Sequence, residues 1–99
     1  MTPQAQSAQT LRLPAVLDLT AAAPLTARFL SARGSDLLVD ASEVARLGGQ
    51  CLQVLLAAAK TWDADGAMFE ILHPSPDFVE ALQHLGIDPA TFATRELPQ

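Results

Sequence analysis

Residues 37–62 read LLVDASEVARLGGQCLQVLLAAAKTW, and the fold turns on how this stretch divides. Asp36 to Ala41 is a short apolar run with polar ends. Such a run predicts a central strand covered on both faces, where the alternation of a half-buried strand disappears. Leu47-Gly48-Gly49-Gln50 predicts a turn. From about Gln50 to Asp63, Leu52, Leu55, Ala59 and Trp62 recur at helical spacing. They predict the buried face of an α-helix, with Gln53 and Lys60 pointing outward. Gly66 closes that helix.

Upstream, Leu11 and Leu13 alternate around Arg12 and predict a half-buried strand. Pro14 cannot donate to a ladder, so it marks an edge, a bulge or a break, and a second short strand takes Val16 to Asp18. Thr20 is a candidate N-cap, and Pro24 fits only the first turn of a helix. Ala22, Leu25, Phe29 and Ala32 then share one helical face, Arg28 falls off it, and Gly34 ends the helix. Downstream, Ala67 to Leu72 predicts a strand that places Met68 and Phe69 on opposite faces. His73-Pro74 breaks it. Ser75-Pro76-Asp77 starts a helix, with Ser at the N-cap, Pro at the first position and an acid in the first turn. Phe78, Leu82 and Leu85 give that helix its apolar face. Gly86 is its terminal glycine, and Ile87 supplies the hydrophobic contact of a Schellman ending. Asp88-Pro89 starts a further short helical turn around Ala90 to Phe92.

The predicted order is β-β-α-β-α-β-α. It implies a single α/β domain: a mixed sheet of about four strands covered by about three to four helices. Residues 1–8 form a polar tail and residues 9–99 the domain.

Composition narrows the function. Six basic and eleven acidic residues give a formal charge of −5, which is poorly suited to gripping phosphate backbones. Arg12, Arg28, Arg33, Arg46, Lys60 and Arg95 are scattered, so no basic stripe points to nucleic acid. The single cysteine, Cys51, excludes an intramolecular disulfide. No apolar run approaches the length of a membrane span, and the N-terminal residues lack the basic and apolar regions of a signal peptide, so direct membrane insertion is not expected and the cytoplasm is the expected compartment. His73 and His84 have no metal-ligand spacing around them. No Gly-x-Ser-x-Gly turn or phosphate-binding glycine loop appears. No cofactor, metal or catalytic residue is therefore expected, and neither is an enzyme.

The stretch from Leu37 to Trp62 resembles the core signature of the STAS family, the sulfate-transporter and anti-sigma-factor-antagonist domain. A strand ends in Asp40, Val44 and Leu47 sit at the matching offsets, and LQVLLAAAK follows as the helix. Val16-Leu17-Asp18-Leu19-Thr20 resembles the family's L-D segment. Pro74-Ser75-Pro76 to Gly86-Ile87 resembles its last regular helix. The resemblance implies a regulatory protein–protein interaction module like the anti-sigma factor antagonists, with anti-sigma or histidine-kinase-like regulators as partners, in kinase or chemotaxis-like signalling. The alternative it implies is an accessory subunit that clasps the ATPase subunit of a bacterial ABC lipid transporter.

One departure bears on regulation. Phosphorylated members of the family carry Ser or Thr in the turn before the second helix. That position falls here on Gly49, preceded by Gly48, so no phosphate acceptor stands at the usual place. Bare N–H groups at the helix start would instead donate to a partner's carboxylate or carbonyl. The expected contact surface is Gly48, Gly49, Gln50 and Gln53. The plainer reading is that the two glycines only make a tight turn with positive φ. Cys51 and Trp62 read as core residues. The sequence leaves open a homodimer and a regulatory role for Ser42 or Ser75.

Overall fold

The computed structural model describes residues 8–95. The tail assigned to residues 1–8 and the Leu97-Pro98-Gln99 end therefore lie almost wholly outside the described residues. The elements are β1 (Gln9–Arg12), β2 (Val16–Leu17), α1 (Ala22–Ala32), β3 (Leu37–Asp40), β4 (Arg46–Leu47), α2 (Gly49–Ala64), β5 (Phe69–Leu72), α3 (Pro76–His84) and β6 (Thr94–Arg95). A single 3-10 turn precedes α1 at Leu19–Ala21, and another follows α3 at Pro89–Thr91.

The main sheet has four strands in the order β1-β3-β5-β6, and β2 pairs with β4 in a separate two-stranded sheet. Every pairing among these strands is parallel, so the expected mixed sheet is corrected. The connections explain it. β1 reaches β3 through α1, β3 reaches β5 through α2, and β5 reaches β6 through α3. A helical crossover returns the chain in the same direction, whereas a hairpin reverses it. β4 and β6 were not anticipated. Each has two residues, too few for a period to register.

Pro14 breaks the first strand where expected. Leu13 N–H still donates to Asp40 C=O at 2.9 Å. The chain then switches partner: Ala15 C=O accepts from Ala45 N–H at 2.8 Å and from Arg46 N–H at 3.0 Å.

The core lies on the face of the main sheet that carries Leu11, Leu37, Val39 and Ile71. Leu25, Phe29 and Ala32 of α1, Leu52 and Leu55 of α2, and Phe78 and Leu82 of α3 pack onto it. β3 was expected to be covered on both faces. Instead it alternates, with Leu38 and Asp40 half-buried. Register places Thr10, Leu38 and Glu70 in one row of that second face, and Arg12, Asp40, Leu72 and Arg95 in the next. The charges there pair across strands: Arg12 Nε to Asp40 Oδ2 at 3.7 Å, Arg95 Nε to Glu70 Oε1 at 2.8 Å. Partial burial works to raise the Asp40 carboxyl. Hydrogen bonds from Ser42 and the charge of Arg12 overcome it and hold the group below the usual aspartate range.

Two helix faces need adjustment. α2 buries Ala58 and Cys51, while Ala59, expected in the core, is only half-buried. Leu85, expected on the apolar face of α3, is exposed. The helix has ended before it: Gly86 turns at φ 81°, and Ile87 N–H donates back to Leu82 C=O at 2.8 Å, as in a Schellman ending. Ile87, partly buried against the core, takes the contact instead.

Trp62 anchors the far end of α2. Its ring stacks edge-on against Phe29 with centroids 6.2 Å apart, and lies 5.8 Å from Phe69. Its indole N–H donates to Ser35 C=O at 2.7 Å. Phe69 thus faces the helices, as the expected split from Met68 requires.

Ser75 joins α3 to the β3–β4 connection. Its hydroxyl donates to Val44 C=O at 2.6 Å and accepts from Phe78 N–H at 3.0 Å, in a buried setting. Ser75→Ala removes the helix cap and leaves the Val44 carbonyl without its donor. We expect a loss of about 1–3 kcal/mol in urea unfolding at an unchanged m-value. A change below the error of the extrapolation would show that the cap contributes nothing.

Candidate partner-binding corner

β4 leads into α2 through Gly48, which is the N-cap residue at φ −94°, ψ 169°. Its N–H donates to Leu17 C=O at 2.9 Å, continuing the β2–β4 ladder. Its C=O accepts from Leu52 N–H at 3.0 Å, the first bond of the helix. No side chain caps this end. The N–H groups of Gly49, Gln50 and Cys51 thus have no partner within the helix, at the positive end of its dipole.

The expected site residues come together. Gly48 is half-buried, and Gly49, Gln50 and Gln53 are exposed. Gln50 and Gln53 also line a groove of about 350 Å³ between α1 and α2, with Thr26, Leu30, Val54 and Ala57 along it. Leu47 was expected in the turn with Gly48, Gly49 and Gln50. It is a strand residue, and Gly49 and Gln50 already belong to the helix.

The tight-turn reading of the glycines is overturned. The positive-φ residues among those described are Gly34, Gly66, Gly86 and His73, and neither Gly48 nor Gly49 is one of them. A Cβ on Gly49 would meet nothing within 4 Å, and one on Gly48 would touch Leu17 O at an ordinary 3.5 Å. Neither backbone geometry nor packing requires glycine at these positions.

Asp18 was missed by sequence reasoning, although its L-D segment was noted. Its main-chain carbonyl lies 3.3 Å from Cys51 Sγ, which places the β2–α1 connection beside the start of α2. Its carboxylate accepts from the Thr20 hydroxyl at 2.7 Å and from Thr20 N–H at 3.1 Å. The hydroxyl bond is the main reason the carboxyl stays below the usual aspartate range. Asp18 caps the 3-10 turn at Leu19–Ala21, while α1 itself starts from Ala21 with no side-chain cap, so Thr20 is not the cap. The signal was legible, since an Asp side chain commonly bonds the main chain two residues on. Leu19, next to it, is 70% exposed. The corner thus offers bare donors from α2, a carboxylate from Asp18 and an apolar side chain.

The other singled-out residues lie elsewhere. His73 sits beyond β5 with its N–H on Arg95 C=O at 2.9 Å, and His84 is exposed in the last turn of α3. Among the described residues, no group of three or more His, Cys, Asp or Glu is placed to hold a metal ion. No described helix is long and apolar enough to cross a membrane. The buried Ser75 hydroxyl is engaged, whereas Ser42 is exposed with its N–H on Asp40 Oδ1 at 2.9 Å.

A parallel sheet, helices that bury its inner face and an open corner at a helix start define an α/β domain. The family model described as "Mlab, STAS domain" matches residues 1–94. The chain belongs to the STAS family, whose domains serve as protein-interaction and regulatory modules and are generally non-catalytic. No curated protein matches the sequence significantly.

Cys51 is buried at the same corner, and burial, then the Asp18 charge, pushes its thiol pKa up. The folded chain should react with a disulfide reagent far more slowly than the urea-unfolded chain; equal rates would place the thiol in solvent. Sign follows from the raised pKa. The unfolded thiol ionises first, so this group's contribution to stability is complete below the unfolded pKa and is lost as pH rises from there through the folded pKa.

Proposed function

We propose that this chain is a non-catalytic regulatory module that binds a protein partner through Gly48, Gly49, Gln50 and Gln53, in the manner of the anti-sigma factor antagonists. Its setting is bacterial cytoplasmic signalling of the kinase or chemotaxis-like kind, and its partner is an anti-sigma or histidine-kinase-like regulator. The observation that carries this reading is the uncapped start of α2, exposed beside Asp18 and built from two glycines that neither φ nor packing demands. A partner carboxylate or carbonyl docks on the free N–H groups, where the helix dipole favours it. A bulky or acidic side chain at Gly49 would block that approach. With Gly49 at the usual acceptor position, binding is not switched by phosphate there.

Gly49→Glu is the discriminating variant. Its Cβ enters open space, and an acid in a first helical turn suits the dipole, so the melting temperature should hold or rise. Affinity for the regulator co-purified from the native host should fall by about tenfold or more. Unchanged affinity removes the corner from the interface. Recovery of a membrane-associated ABC ATPase subunit in place of a signalling kinase assigns the chain to lipid transport instead.

A further inference from the structure

β1 is an end strand of the main sheet, hydrogen-bonded on one side to β3. Gln9 N–H donates to Asp36 C=O at 2.9 Å, and Leu13 N–H donates to Asp40 C=O at the same distance. Backbone groups alternate along a strand, so the N–H and C=O of Thr10 and Arg12 face away from β3. No described residue bonds to them. Alongside this edge, between β1 and α1, lies a cavity of about 370 Å³ lined by Gln9, Thr10, Leu11, Ala27, Arg28 and Ser31 among others. No acidic residue lines it. Arg28 has no ion-pair partner among the described residues. Arg12 reaches the opposite face, 66% exposed, and holds Asp40 and Glu43 only loosely, at 3.7 and 3.8 Å.

We propose that the outer edge of β1 is a docking surface, separate from the α2 corner, for an extended acidic segment of a partner protein that adds to the sheet as a further strand. Main-chain bonds to Thr10 and Arg12 supply the affinity, and alternate side chains supply the selectivity. A side chain on the helix-facing side meets Arg28 at the cavity. The next lies on the other side, where Asp40 and Glu43 already hold Arg12. Charge chooses the occupant. Arg28 stands without an ion-pair partner among the described residues at a cavity that no acidic residue lines, so an acidic side chain on that side finds its counter-charge there. A second copy's β1 would bring Gln9 and Leu11 to the helix-facing side, and neither is a carboxylate to meet Arg28. Pro14 limits the added strand to a short segment, which suits a transient contact.

The test is amide NMR on the full ¹⁵N-labelled chain, titrated with a short peptide of alternating valine and glutamate and, separately, its lysine counterpart. The glutamate peptide should move the Thr10 and Arg12 amides and slow their hydrogen exchange, and the lysine peptide should not. Arg28→Glu should weaken binding by about tenfold. Thr10→Pro removes the outward donor while sparing the bonds from Gln9 and Leu11 to β3, and should abolish the response. Gly49→Glu should bind the peptide as the wild type does, so the two surfaces fail or succeed independently. An equal response to the lysine peptide, wild-type binding by Arg28→Glu, or no movement of the Thr10 and Arg12 amides up to the peptide's solubility limit would overturn the proposal. So would concentration-dependent self-association that Thr10→Pro removes, which would give the edge to a second copy.

Discussion

Gly48 ends a sheet and begins a helix. Its N–H closes onto Leu17 C=O at 2.9 Å, and its carbonyl takes the first helical bond from Leu52 at 3.0 Å. Leu17, Leu47 and Cys51 are buried immediately around it, so this junction is held from behind by the core. What remains in front is a helix start that cannot retreat and has no cap of its own. The exposed character of Gly49 and Gln50 follows from where β4 delivers the chain.

The other end of α2 is equally constrained. Trp62 is locked among Phe29, Phe69 and the Ser35 carbonyl, and Arg33 grips Asp65 through two hydrogen bonds of 2.8 and 3.0 Å. The ion pair is largely exposed and contributes little by itself. Burial of the aromatic rings stabilises this end far more. A helix fixed at both ends presents its first turn in one position. Rigid presentation lowers the ordering cost of binding, which suits a module that works by contact.

Much of this architecture was legible in residue order. Leu25, Phe29 and Ala32 announced the inner face of α1, Ser75-Pro76-Asp77 announced the start of α3, and Gly86-Ile87 announced its end. Strand direction was legible too, because strands separated by helices return parallel; the β-β start hid it, since its second strand joins a separate sheet. β4 escaped notice for a different reason. Arg46 and Leu47 form a strand only because Val16 and Leu17 lie alongside, and two residues carry no period.

The glycine pair shows the division most clearly. The sequence by itself determined that no hydroxyl stands at Gly49 and that an apolar helix follows, since both are matters of residue identity and spacing. Only the tertiary structure decided that these glycines adopt ordinary backbone angles, that Asp18 is brought beside them from the segment before α1, and that β3 keeps one face half-open. Those facts depend on which segments meet in space, and contacts between residues distant in the chain leave no mark on local periodicity.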